Sequence, residues 1–351
     1  MSTLIFSACL TTMAWGGSEG HPAPPYNLAS VVPIKEKSEV RQVNFSATES
    51  PGLTEQAVGG DSPAYLTPEG LPPLSQVTPA APAAPVASSN FDEIFDGPGY
   101  EWQVLPVGLM YKAYLAGEKE SRMASVFYAA NGRKGAIWEN TLGAHVGLLR
   151  YGTTNSVNPQ GWQFDLEGAA MPRVDMGHED DLEAVDFRAG WLITHRRGPN
   201  AFKAGYYHLS SHVGDEYLIR NIGFERLNYV RDSLIIGWTR DVMSPNLQVY
   251  GEIAWAVFAQ DGAQPLELQY GIQYSPLVFG LHGAPFAAIN GHTRQEFNYT
   301  TSITVQAGWQ WRGVSNHTLR TGVSYYEGPS MQWSFVGQSD RMIGAGIWFD
   351  F

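Results

Sequence analysis

The chain is short of cysteine, of basic residues and of long apolar runs, and each shortage excludes something. A lone cysteine, Cys9, rules out an intramolecular disulfide framework and a cysteine-based zinc site. Lys and Arg number 22 against 34 Asp and Glu, and the net charge of −12 excludes a nucleic-acid partner, which needs clustered cations. No stretch reaches the roughly 18 consecutive apolar residues of a transmembrane helix. That test is blind to transmembrane barrels, whose strands alternate and never form a continuous apolar block.

Basic residues are missing from the N-terminus as well; the first is Lys35. Residues 1–17, "MSTLIFSACLTTMAWGG", carry the apolar core of a secretion signal without the cation that should precede it. Either the true start lies upstream or the segment has another role. Cys9 makes a poor lipoprotein acylation site, with Phe6 where Leu is usual. Residues 18–97 are rich in Pro, Ala, Ser and Thr. Twelve of the 22 prolines precede residue 98, but only seven of the aromatics do. Such a segment buries too little apolar surface to offset the entropy of ordering it, so a disordered linker is expected there.

What is present appears after residue 98. In 297–311, "FNYTTSITVQAGWQW", Phe297, Tyr299, Thr301, Ile303, Val305, Ala307, Trp309 and Trp311 share one face, and polar residues with Gly308 the other. That alternation is long beside the usual strand of about 5–6 residues. Trp162, Phe164 and Leu166 oppose Gln163, Asp165 and Glu167; Ile253, Trp255 and Val257 sit in a similar pattern. A soluble sandwich would bury the apolar face; a transmembrane barrel turns it to lipid. The end, "MIGAGIWFDF", aligns Ile343, Ala345, Ile347, Phe349 and Phe351 on one face. A last strand of this kind resembles the assembly signal of bacterial outer-membrane barrels. The fold expected is therefore all-β: a transmembrane antiparallel β-barrel over 98–351.

Candidate strands are 124–130, 142–152, 160–172, 183–196, 200–212, 225–241, 246–259, 265–276, 279–291, 297–312, 317–327 and 340–351, an even twelve. With both termini periplasmic, "GPN" at 198–200 and "SPN" at 244–246 become short periplasmic turns, and 173–182 and 213–224 longer outer connections.

The fifth strand contains "YYHLSSHV", with His208 and Ser210 two apart and so on one face. Lys203 on the opposite face assigns that face to the lumen and turns His208 and Ser210 outward, near the outer lipid boundary. If the hairpin is symmetric about Ile219, Ser210 lies opposite Asn228 and His208 opposite Val230. Serine, histidine and amide would then meet as nucleophile, base and orienting group. A polar strand end, in which His212 repeats the pattern, explains the same residues without chemistry.

His-x-Ser near an outer rim with a polar partner on the next strand resembles outer-membrane phospholipase A, which implies Ser210, His208 and Asn228 as its Ser-His-Asn site. The lipid A deacylases are similar and imply an acid, for which Glu225 is the candidate, although its spacing puts it on the other face without a bulge. Both families follow the serine with Asn, where this chain has Ser211. A broader resemblance, carried by "WQVLPVGLMYKAYLAGEKESRM", "GLLRYGT", "YYHLSSHVGDEYL" and "ERLNYVRDSL", spans roughly 100–351 and is to a bacterial family of unknown function.

Three further groups stand out. The acidic outer loop, with Asp175, Glu179, Asp180 and Asp181, is a candidate Ca²⁺ site, an ion that the resembled phospholipase uses; solvated loop charges are the plainer reading. Asp165, Glu167, Glu252, Arg188 and Lys203 would pair inside the lumen or line a pore, too narrow at twelve strands for a general porin. Residues 98–123, with Tyr111, Lys112 and Tyr114, precede the barrel and would form a periplasmic plug or lid. The partners expected are lipids of the bacterial outer membrane, the barrel-assembly machinery through the strand ending at Phe351, and, as a candidate, a second copy of the chain. An esterase acting on lipid and a non-enzymatic channel or anchoring barrel are the two functions these residues support.

Overall fold

In a computed structural model, residues 99–132 and 135–351 are described; the signal-like segment, Cys9 and the expected linker lie outside them. The strands are β1 (Glu101–Val104), β2 (Met123–Ala130), β3 (Ala136–Gly152), β4 (Gly161–Asp175), β5 (Asp181–Arg197), β6 (Asn200–Val213), β7 (Tyr229–Asp241), β8 (Leu247–Gln260), β9 (Leu266–Tyr274), β10 (Ala284–Arg294), β11 (Thr301–Arg312), β12 (Thr318–Pro329) and β13 (Ser339–Asp350). One short helix, α1 (Asp215–Arg220), lies between β6 and β7.

Each of β2 to β13 pairs antiparallel with its sequence neighbours, and β13 returns to β2 from Met342 opposite Ala130 to Phe349 opposite Met123. Twelve strands therefore close a barrel. Closure removes the free edges, the condition for β-structure to survive in hydrocarbon. β1 is extra: it adds to the far end of β3, Leu149–Gly152, beyond the stretch that β2 covers.

The expected faces are found on the strands. Trp162, Phe164, Leu166, Leu234, Ile236, Ile253 and Ile347 are exposed on the outside, while Gln163, Asp165, Lys203, Arg231 and Arg320 are buried within. Aromatic residues gather outside the inner end: Trp102 packs on Tyr151 with ring centroids 5.1 Å apart, and Trp162 stacks on His195 at 4.3 Å. Aromatic girdles of this kind mark a membrane–water boundary. An apolar outer wall around a polar interior makes this a transmembrane barrel of the outer-membrane type.

The interior is filled. Residues 105–122, between β1 and β2, run through the lumen with Met110, Tyr111, Tyr114 and Ala116 almost wholly buried. Gly108 admits this segment: its φ is +79°, and a Cβ there would lie 2.1 Å from the carbonyl oxygen of Ser156. Tyr114 donates to Glu252 at 3.0 Å, and Glu252 pairs with Lys203 at 2.5 Å. Lys119 reaches Asp186 at 2.6 Å, and Arg122 reaches Asp350 at 3.0 Å. From the outer side the β12–β13 loop, 330–338, folds inward with Trp333 and Phe335 buried. Asp340 holds its base, accepting from the Met331 N–H at 3.0 Å and pairing with Arg173 at 2.7 Å.

The lumenal charges form ion pairs: Arg188 meets Glu167 at 2.8 Å and Arg231 meets Glu267 at 2.9 Å. Pairing of this kind offsets much of the cost of burying a charge.

Three expected strands start late, the first of them β10, which begins at Ala284 rather than 279. β11 begins at Thr301, since Phe297 ends a single 3-10 turn, Gln295–Phe297, and Asn298 and Tyr299 follow it with φ of +51° and +61°. β7 begins at Tyr229 rather than 225, and that shift bears on the site.

Candidate active site on the outer wall

β6 alternates strictly, with Ala201, Lys203, Tyr207, Leu209, Ser211 and Val213 facing inward. His208 and Ser210 consequently lie on the outer wall, toward the outer end of the strand. Tyr207 fixes this choice of face from inside, donating to Glu267 at 2.5 Å with Arg188 4.0 Å over its ring.

Across the β6–β7 ladder, His208 pairs with Asp232 and Ser210 with Val230. The Nδ1 of His208 lies 2.7 Å from Oδ1 of Asp232, and the Tyr206 hydroxyl donates to the same oxygen at 2.8 Å. The imidazole side chain is 42% exposed and the carboxylate 27%, so both are open to an approaching molecule. On the β5 side, small Ala189 lies opposite His208, and Phe187 lies opposite Ser210.

An Asp at Nδ1 fixes the tautomer. In the neutral imidazole Nδ1 carries the proton toward the carboxylate and Nε2 keeps the lone pair. Ser210, two residues on along the same face, stands one pleat away at roughly 6.5 Å between Cα atoms. Among the described residues Ser210 has no hydrogen bond to His208; the partner of His208 is Asp232.

The expected third residue is corrected. Asn228 is not opposite Ser210: it precedes β7, is exposed, and uses its backbone N–H to donate to Asp261 at 3.2 Å. Glu225 is exposed in the outer connection, also away from His208. The hairpin centres on residue 220 rather than 219, which moves the register by two while keeping the faces. Tyr229 sets the start of β7 from within: it is buried, donates to Glu296 at 2.9 Å, and packs 5.5 Å from the Trp333 ring. Beside Asp232 the β7–β8 pairing steps by one residue at Asp232/Ser233, with Phe258 and Ala256 opposite. Such a bulge re-aims the side chains around it.

The sequence carries a signal for Asp232 without giving it a role. Asp232 shares the outer face with Val230, Leu234, Ile236 and Trp238, where an acid is costly without a role. Ser211, which stands where the resembled families have Asn, points inward and donates to Asp186. His212, on the outer face, lies with its ring 6.0 Å from that of Phe187.

The acidic loop does not suit a metal. Asp175 holds His178 at 2.8 Å and lies 3.7 Å from Arg220, which also pairs with Asp181. Glu179 and Asp180 are exposed on left-handed backbone, with φ of +56° and +62°. Among the described residues no three His, Cys, Asp or Glu side chains gather as a ligand set. An arginine already occupies the place between the carboxylates of Asp175 and Asp181.

The family described as "Protein of unknown function (DUF1207)" matches residues 100–351. No curated protein matches the chain. Among solved structures, outer membrane phospholipase A from Escherichia coli is similar at 9% identity, covering 65% of this chain and 89% of that one, with a TM-score of 0.45. The Salmonella typhi outer membrane phospholipase, solved as a dimer with bound calcium, is similar at 9% identity over 68% of this chain and 94% of its own, with a TM-score of 0.47. A Rhodopseudomonas blastica porin mutant follows at 10% identity, 66% and 99% coverage and a TM-score of 0.30. Likenesses this distant carry no information about the site.

Proposed function

The chain belongs to this family, whose description supplies no activity, and we propose on the site's geometry that it is a lipid acyl hydrolase of the bacterial outer membrane. Ser210 is the nucleophile, His208 the base and Asp232 the residue that orients it. The observation that carries this reading is the 2.7 Å contact of His208 Nδ1 with Asp232 on a lipid-facing wall, with Ser210 on the same face.

The Ser210 hydroxyl attacks the ester carbonyl carbon as Nε2 of His208 takes its proton. The tetrahedral intermediate collapses, the ester C–O bond breaks, and the alcohol leaves with that proton. Water then attacks the acyl-serine by the same route, releasing a fatty acid and restoring Ser210. The substrate is an acyl ester of phospholipid or lipid A, because the serine faces the acyl chains and lies near their headgroups. The strand ending in Phe351 is the proposed handle for the barrel-assembly machinery, and a second copy of the chain is a candidate partner.

A non-enzymatic anchoring barrel is the second reading. The lumen, filled by 105–122 and 330–338, favours it over a channel.

The deciding experiment is acyl release from phospholipid and lipid A by the refolded barrel, beside Ser210→Ala. Release that vanishes in a correctly folded Ser210→Ala protein supports the hydrolase. No release from either lipid by the folded wild type overturns it.

A further inference from the structure

At the periplasmic end of the lumen Arg150, Arg312 and Lys112 form no ion pair among the described residues; Arg150 is held by Gln163 and the carbonyl of Gly108, and the other two share a cavity. Arg312 closes β11 and is 6% exposed. Its guanidinium donates to the side-chain and main-chain oxygens of Asn316 at 2.7 and 3.3 Å and to Ser275 Oγ at 2.9 Å. All three are neutral acceptors, and its Nε–H has no partner. Lys112, from the lumenal segment, donates to the side-chain oxygen of Asn158 at 2.6 Å, another neutral group. Neither cation forms an ion pair among the described residues, in a chain whose net charge is −12.

Both line one cavity of about 40 Å³ with Ser275, Asn316, Gln248, Gln273 and Phe351, and Phe351 forms no ion pair with either cation among the described residues. Asp350 also borders it but is committed to Arg320 at 2.7 Å and Arg122 at 3.0 Å. Asp241, nearby, is committed to Arg196. A volume of this size holds about three water-sized centres, which is room for one small tetrahedral oxyanion. Burial pushes the Lys112 amine well below its ordinary range, Arg312 and Arg196 push it further and Asp241 partly opposes them, so its charge is favoured by an anion bound beside it.

We propose that this cavity is a phosphate-binding site, in which Arg312 and Lys112 hold a phosphate or phosphoryl group at the periplasmic mouth of the barrel. The orphan Nε–H of Arg312 supplies a directed donor, and the Lys112 ammonium supplies the second charge. The amides of Gln248 and Gln273 are engaged with Asp241 and with each other, at 3.0 and 2.8 Å, and make a neutral wall. The phosphate has two sources, free phosphate in the periplasm or the headgroup of an inner-leaflet lipid.

The test uses the full chain refolded in a phosphate-free, non-ionic detergent. Inorganic phosphate is titrated by calorimetry, and in a second arm the protein is placed in phosphatidylglycerol nanodiscs and its bound ³¹P signal compared with that in phosphatidylcholine. Saturable binding of inorganic phosphate, weakened about tenfold or more in Arg312→Gln and in Lys112→Gln, is the expected result. Arg312→Lys keeps the charge and checks folding; it should retain part of the binding. An immobilised ³¹P signal confined to phosphatidylglycerol and lost in the variants assigns the site to a headgroup. Silence in both arms, or variants that bind as the wild type does, overturns the proposal.

Discussion

Asp232 lies directly across the β6–β7 ladder from His208, and its carboxylate both accepts from the imidazole and anchors the Tyr206 hydroxyl. One acid thus fixes two side chains on the outer wall. If that arrangement performs ester hydrolysis, Asp232→Asn removes the charge and disturbs the tautomer while leaving the shape intact. Acyl release should fall by about 10²–10⁴-fold, with the barrel's folding unchanged, as measured by initial rates on vesicles. Tyr206→Phe should cost less, because the His208 contact remains.

The register makes a complementary prediction. Asn228→Ala and Glu225→Ala should leave acyl release within about twofold of the wild type, since both are exposed and away from His208. A large loss in Asn228→Ala would show that the hairpin adopts the other register when lipid is bound.

Inside the barrel, Lys203 and Glu252 are each almost fully buried and paired. Lys203→Met leaves the acid uncompensated and should lower stability by about 3–5 kcal/mol. Replacing both residues with apolar ones should cost less than either single change. Urea unfolding of refolded protein in detergent measures the difference.

Glu118, on the lumenal segment, gives the lumen an acid limit. Burial alone would raise its carboxyl, but the hydrogen bond and charge of His292, with the Ser302 hydroxyl and the nearby Arg294, outweigh burial and leave it lowered. A folded value below the unfolded one means that Glu118 stabilises the protein above the ordinary carboxylate range. The contribution is lost as pH falls through that range toward the folded value. Glu118→Gln should therefore lower stability at neutral pH and flatten its decline in acid, read from unfolding midpoints against pH.

Arg220 already lies among the carboxylates of the acidic loop, so Ca²⁺ should leave the thermal midpoint of the wild-type barrel unchanged. A Ca²⁺-dependent rise would show that the arginine gives way to the ion.

The barrel was legible because its physics repeats every two residues: Trp162, Phe164 and Leu166 could face only lipid once Gln163 and Asp165 faced in. The outward placement of His208 and Ser210 followed from Lys203 by the same rule. The register did not, because it depends on α1 and the rest of the outer connection, and a symmetric hairpin gives them no weight. Tyr229 decides where β7 begins through contacts with Glu296 and Trp333, which are remote in sequence. Alternation also overran its strand at 297–300, where a turn happens to continue the polar–apolar pattern. The cations at Lys112 and Arg312 are ordinary in the sequence and become unusual only when the fold leaves them without acids.

The closure of β13 onto β2 has a consequence for how the molecule is made. Residues 105–122 lie inside a wall whose last stave is the final strand of the barrel, and they touch side chains from β5, β6, β8, β10, β11 and β13. The segment leaves by the rim at which it enters, since β1 lies on the last residues of β3 and β2 begins at Met123 beside the end of β13. Its ion pairs to β5 and β13 exist only once the sheet has rolled round far enough to bring those staves to it. Its charged residues therefore latch the closed cylinder as well as filling it.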